Sequence, residues 1–216
     1  MSRYDPNIEY HVIHLKHHRE RLMNIQNNRK KLGKDIDIFN AVVGKDVDLD
    51  NLQVYDPLLR NQFNHDFIGE IGCYLSHMML IKSLFNSINN YAVIFEDDFY
   101  ILEEDLHSKI VYYLKELEDE DFDILILGNF TNNKCTLFKS DIYTINPNEH
   151  MWGTHAYLIK NTNARKIYNL LLNMSLAIDN KFKTLLDMNL LKGYVVYPVL
   201  VDQQRTKLKS TITCQS

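Results

Sequence analysis

Short runs of consecutive apolar residues alternate along this chain with longer stretches in which apolar positions recur every three or four residues. Tyr10 to Leu15 reads as a buried strand, and the charged stretch that follows, ending at Leu32 before Gly33, reads as a helix. Asp35 to Phe39 alternates as a strand does, and Val42 to Lys45 is then a loop. Between Gly69 and Asn89, residues Ile71, Leu75, Met78, Phe85 and Ile88 fall near one helical face. Tyr91 to Phe95 and Asp123 to Leu127 are continuous apolar runs bounded by polar residues, the pattern of strands covered on both faces. Leu106, Ile110, Tyr113, Leu114 and Leu117 mark a helix between them.

Tyr143 to Asn146 and Ala156 to Ile159 read as shorter strands, Ala164 to Leu172 and Lys181 to Leu191 as helices, and Tyr194 to Val201 as a last strand. Strands that alternate with helices predict one α/β domain over residues 1–216, built on a mainly parallel sheet flanked by helices. Such sheets bind ligands at the carboxyl ends of their strands.

Composition narrows the reading. With 24 Lys+Arg against 28 Asp+Glu the net charge is −4, which argues against a nucleic-acid partner. The three cysteines, Cys73, Cys135 and Cys214, form no CxxC pair, so a disulfide framework is not expected. No signal peptide and no apolar run of membrane-spanning length is visible, which points to a cytoplasmic location. Arg205, Lys207 and Lys209 form a small basic tail able to make weak contact with an anionic membrane surface.

Candidate chemistry concentrates in three segments. Glu96-Asp97-Asp98 follows the Tyr91–Phe95 strand directly. Adjacent carboxylates repel, and Mn²⁺ or Mg²⁺ relieves that repulsion while bridging to phosphate. In extended backbone Glu96 and Asp98 share a side and Asp97 points elsewhere; a solvated acidic turn is the competing reading. The second segment is Gly69 to His77, which places Glu70, Cys73 and His77 along one polar helical strip. The third is Trp152 to Tyr157, where a Gly–Thr turn beside the only Trp feeds a strand. His14, His17 and His18 match no zinc spacing.

Together these segments resemble glycosyltransferase family 25. Val12 to Leu15 running on to Arg21 resembles the family's opening strand and basic stretch, with His14 where the family has Asn. Phe39 to Gly44 resembles its F-x-A-V-x-G. Gly69 to His77 matches G-E-I-G-C-x-L-S-H, and Val93 to Asp98 matches its strand-plus-E-D-D. Gly153 to Tyr157 resembles G-T-x-A-Y, Ile178-Asp179 a late V-D before a helix, and Pro198 to Gln203 the closing P-x-L-V-x-Q.

The resemblance implies a GT-A-like nucleotide-sugar-binding domain that moves galactose or glucose from a UDP-sugar, with inversion, to a hydroxyl. The acceptor would be a glycan or a hydroxylysine-type protein side chain. It implies that Asp98 and Glu96 carry Mn²⁺ (or Mg²⁺); for the general base that single displacement needs, Asp179 is the candidate, with Glu70 and His77 the alternatives. Candidate substrate contacts are His14, Arg21, Ala41, Val42, Gly44, Lys45, Ser76, His77, Glu96, Asp97, Gly153, Thr154, Tyr157 and Gln203. Two other classes stay open: a weakly active or inactive sugar- or nucleotide-binding domain of the same fold, and a metal-dependent phosphoesterase. Turnover of nucleotide-sugar with and without an acceptor separates them.

Overall fold

The computed structural model describes residues 6–63, 68–129, 135–145, 153–204 and 208. Trp152 and the basic tail residues Arg205, Lys207 and Lys209 lie outside them. In chain order the elements are β1 (Ile8–His14), α1 (Arg19–Leu32), β2 (Asp37–Asn40), β3 (Arg60–Asn61), α2 (Ile68–Ser83), β4 (Tyr91–Glu96), β5 (Phe99–Ile101) and α3 (Leu106–Glu116). They continue with β6 (Ile124–Gly128), β7 (Thr136–Lys139), β8 (Ile142–Thr144), β9 (Ala156–Lys160), α4 (Ala164–Leu171), β10 (Asn173–Met174), α5 (Ile178–Asp187), β11 (Gly193–Val196) and β12 (Val201–Gln203).

One eight-stranded sheet, in the order β2-β1-β4-β9-β6-β11-β8-β7, carries the fold. Strands β1, β2 and β4 are mutually parallel, as are β6 and β11. Most strands therefore run in one sense. Strand β9 runs against both its neighbours, β4 and β6. That reversal positions the site, because it brings the start of β9 to the carboxyl end of β4, where Phe95 pairs with Ala156 and Glu96 N donates to His155 O at 3.1 Å.

Period-two alternation divides the strands between two cores. Ile13, Ala92, Ile94, Ile124, Ile126, Tyr157 and Ile159 pack under α2, α4 and α5. Tyr10, Val12, Val93, Phe95, Leu125, Leu127 and Leu158 pack with α1, α3 and β5 on the other face. Burial on both faces is why β4 and β6 read as unbroken apolar runs.

Several boundaries differ from expectation. Helix α2 ends at Ser83, so Ile88 never joins its apolar face and is 93% exposed. The run from Tyr194 to Val201 is two strands in two sheets, since Pro198 has no N–H to give to a ladder; β12 pairs with β5 instead. Helix α1 ends at Gly33, whose φ of 65° is the left-handed cap expected of a terminal glycine. Helix α5 begins at Ile178, so Asp179 lies in its first turn and Ala177 occupies the N-cap position.

Candidate active site

The carboxyl ends of β1, β2 and β4, the start of β9 and the first half of α2 converge on the Glu96–Asp98 turn. The three carboxylates do not share one environment. Asp97 turns toward α1: its Oδ1 accepts from Arg21, and its Oδ2 lies 2.8 Å from His14 Nδ1 and 3.4 Å from Leu15 N. His14 and Arg21 are themselves buried. One helical turn further along α1, Asn24 Nδ2 donates to the carbonyls of Asp97 at 3.0 Å and Phe99 at 2.9 Å. Asn28 donates to Phe99 O at 3.1 Å and accepts from Ile101 N at 3.0 Å. Arg21, Asn24 and Asn28 form one stripe of α1 that fastens the acidic turn and β5 to the sheet. His14, Arg21 and Asp97, expected as substrate contacts, are bonded to one another.

Asp98 is equally buried and far less satisfied. Its Oδ2 lies 3.4 Å from Arg21, while its Oδ1 has no hydrogen-bond partner. Burial, then the neighbouring Glu96 charge, push its carboxyl up to about 7, with Arg21 offsetting only part of the effect. Glu96 behaves oppositely. Burial alone would raise it, but the His77 imidazole and the Thr154 hydroxyl outweigh burial and hold the carboxyl down, at about 2. Thr154 Oγ1 donates to Glu96 Oε1 at 2.6 Å, and Gln203 Nε2 approaches Oε2 at 3.4 Å. A low Glu96 beside a high Asp98 leaves one ionised carboxylate and one that a cation would ionise.

Helix α2 supplies the opposite wall. His77 is fully buried, with Nδ1 2.8 Å from the Tyr157 hydroxyl and Nε2 3.4 Å from Glu96 Oε1, close enough to pair in charge but not aligned for a hydrogen bond. One turn earlier, Cys73 is partly exposed. Burial first, then the carboxylates of Glu96, Asp179, Asp98 and Glu70, push its thiol well above the ordinary range. Four acids from three separate segments therefore act on one point. Asp179 Oδ2 accepts from Gly153 N at 3.3 Å, tying the start of α5 to the Gly–Thr turn, where Gly153 takes a φ of 98°.

The loop after β2 closes the remaining side. Ala41 N donates to His14 O at 2.9 Å. Val42 N donates to Ser76 Oγ at 2.8 Å, and the Ser76 hydroxyl in turn donates a hydrogen bond to Gly72 O at 2.6 Å. Both capacities of Ser76 are used inside the protein. A Cβ on Gly72 would stand 2.7 Å from Gly44 N and 2.8 Å from Val42 O, so this glycine is needed for loop and helix to touch. Gly44 lies in that contact, and Lys45 beyond it is exposed. Asn24 and Asn28 carried no signal in the sequence, sitting in a charged helix with no motif; their spacing of four was the only available hint.

The sequence profile of glycosyltransferase family 25 (LPS biosynthesis protein) matches residues 7–182. A search of curated proteins finds no match. Among solved structures, A197 from STIV aligns with a TM-score of 0.48 at 10% identity, covering 90% of this chain and 83% of that one. A CMP:2-keto-3-deoxy-manno-octonic acid synthetase complexed with CTP aligns at 0.46 and 8% identity, covering 88% and 90%. A mannose-1-phosphate geranyltransferase from Thermus thermophilus aligns at 0.44 and 10% identity, covering 91% and 76%. The profile spans β1 to α5 and takes in the acidic turn, the polar strip of α2, the Gly–Thr turn and Asp179. The chain belongs to glycosyltransferase family 25.

Proposed function

We propose that this glycosyltransferase moves a hexose, galactose or glucose, from a UDP-sugar to a hydroxyl of a glycan or hydroxylysine-type protein acceptor, with inversion at the anomeric carbon. The observation that carries the reading is Asp98 Oδ1, a buried carboxylate oxygen with no hydrogen-bond partner, two residues from Glu96 at the carboxyl end of a central strand. Satisfying that oxygen calls for a proton or a cation. Asp98 and Glu96 are the residues that would hold Mn²⁺ or Mg²⁺, whose chemistry when bound is to stabilise the charge growing on a departing diphosphate.

The protein's own residues divide the remaining work. Asp97, held by His14 and Arg21, fixes the turn so that Asp98 keeps its place when it ionises. Thr154 and Gln203 hold the two oxygens of Glu96 apart in direction. The loop Ala41 to Lys45, anchored through Ser76, borders the nucleoside. Single displacement needs a base that accepts the acceptor hydroxyl's proton opposite the leaving group, and Asp179 is that residue, with Glu70 the alternative. The Gly153 N–H that Asp179 accepts orients the carboxylate without neutralising it.

A screen of UDP-sugars with Mn²⁺, following UDP release and sugar transfer to candidate hydroxyl acceptors, tests the reading. One preferred UDP-hexose whose UDP moiety binds with Mn²⁺ and loses affinity in EDTA is the expected result. Equal UDP affinity in both conditions overturns the metal role, and donor binding without transfer to any acceptor favours a binding domain of the same fold.

A further inference from the structure

A second constellation sits against the acidic turn. Cys73 Sγ, a ring nitrogen of His77 and a Glu96 carboxylate oxygen all lie within 4.8 Å of one another. Cys73 and His77 are four apart on α2, so they project from one face of the helix, and Glu96 meets them from the end of β4. His77 is 0% exposed, and its Nε2 lies 3.4 Å from Glu96 Oε1 without the alignment of a hydrogen bond. The Tyr157 hydroxyl fixes the ring through Nδ1 at 2.8 Å. Metal binding would release the Nε2 proton that faces Glu96 and keep the other on Nδ1, donated to that hydroxyl oxygen, so that Nε2 presents its lone pair; an outer hydrogen bond of this kind commonly orients metal-bound histidines. Asp98, Asp179 and Glu70 add negative charge around Cys73.

We propose that Cys73, His77 and Glu96 form a binding site for a thiophilic divalent cation of the Zn²⁺ class. One sulfur, one imidazole nitrogen and one carboxylate oxygen are the donor types this ion takes. Donors roughly 2.0–2.3 Å from a common centre stand about 3.3–3.8 Å apart, a contraction that side-chain rotation supplies. Binding forms a sulfur–metal bond as the Cys73 S–H bond breaks, and the proton goes to solvent. Three protein ligands leave a fourth position for water or a substrate atom. The site shares Glu96 with the hard-cation position assigned to Asp98, so the two occupancies compete. That competition rests on the transfer reading; the Cys73 site itself does not.

Co²⁺, which reports thiolate ligation optically, is the probe. Titrating the metal-free full chain is expected to give a thiolate-to-cobalt charge-transfer band that saturates near one equivalent and is displaced by Zn²⁺. Cys73→Ser abolishes the band with an unchanged melt. The double variant Cys135→Ser, Cys214→Ser keeps it, which covers the case in which the Cys73 variant fails to fold. Glu96→Gln weakens Co²⁺ binding by roughly 10-fold or more. Absence of the band in the native chain, its survival in Cys73→Ser, its loss in the double variant, or unchanged affinity in Glu96→Gln each overturns the site. Sugar transfer with Mn²⁺ is assayed on the same preparations. Transfer without the cobalt band removes this inference alone, and a cobalt band without transfer removes only the functional reading.

Discussion

Asp97 and Asp98 are neighbours with nearly equal exposure, 5% and 7%, and both meet Arg21, yet their side chains are satisfied to very different degrees. On the α1 side, Asp97 meets Arg21, His14 and a backbone N–H, and the amides of Asn24 and Asn28 carry the same bonding on to β5. By contrast, Asp98 Oδ1 and, on α2, His77 Nε2 have no hydrogen-bond partner, although both are buried. Saturation is what a fold uses to fix a turn, and unsatisfied buried groups are what a ligand completes. One acidic triplet thus holds a saturated carboxylate and, beside it, one with an oxygen left open.

The largest expected effect tests the saturated region. Asp97→Ala takes from the buried Arg21 the nearer of the two carboxylates of the acidic turn, and the loss should be about 3 kcal/mol or more in urea denaturation. Asp35→Ala, which breaks the exposed Arg29–Asp35 pair, is the control and should cost less than about 1 kcal/mol. Equal losses would erase the distinction between the two regions.

Asp98→Asn should do the reverse, lowering transfer by roughly 10²-fold while sparing the fold. The sign of its pH dependence follows from its environment. The folded chain holds the Asp98 proton up to about pH 7 against an ordinary value of 3.8, so the unfolded chain releases it first. Stability from this group is therefore present at low pH and is lost as pH rises through that window. Melts in EDTA from pH 5 to 8 should show the wild type falling relative to the Asn variant, and Mn²⁺ restoring it. Parallel melting curves would show that Asp98 is not held in its neutral form.

Asp179→Asn sharpens the picture on the α5 side. Asn keeps an acceptor for Gly153 N–H but is a far weaker base, so transfer should fall by roughly 10²-fold with donor affinity and melting unchanged. Near-normal transfer would pass the role to Glu70. The smallest effect belongs to the loop anchor. Ser76→Ala removes the acceptor of Val42 N–H and should cost about 1–3 kcal/mol, with donor KM rising more than kcat falls. An unchanged KM would detach the Ala41–Lys45 loop from donor binding.

What was legible in the sequence follows from how local each cause is. Strands β4 and β6 announce themselves because both faces are covered, and the end of α1 because Gly33 stops a helix by its own geometry. The α2 strip was legible because i,i+4 spacing brings Cys73 and His77 together without outside help. The break at Pro198 was visible in principle, yet the apolar run around it disguised two strands as one. The Asp97 latch was not legible: His14 and Arg21 lie 83 and 76 residues away, and nothing in the triplet tells which carboxylate faces them. Nor does any local pattern show that β9 runs against its neighbours, which is what delivers Thr154 to Glu96.

That reversed strand also sets an order of manufacture. Glu96 waits 58 residues for the hydroxyl of Thr154 and 107 for the amide of Gln203. At about 5–20 residues per second, the second wait lasts roughly 5–20 s on the ribosome. Strands β1, β2 and β4, with α1 latched over Asp97, can be assembled well before either partner emerges. The surroundings of Glu96 are completed last, and a nascent chain carries its acidic turn without the residues that later orient that carboxylate.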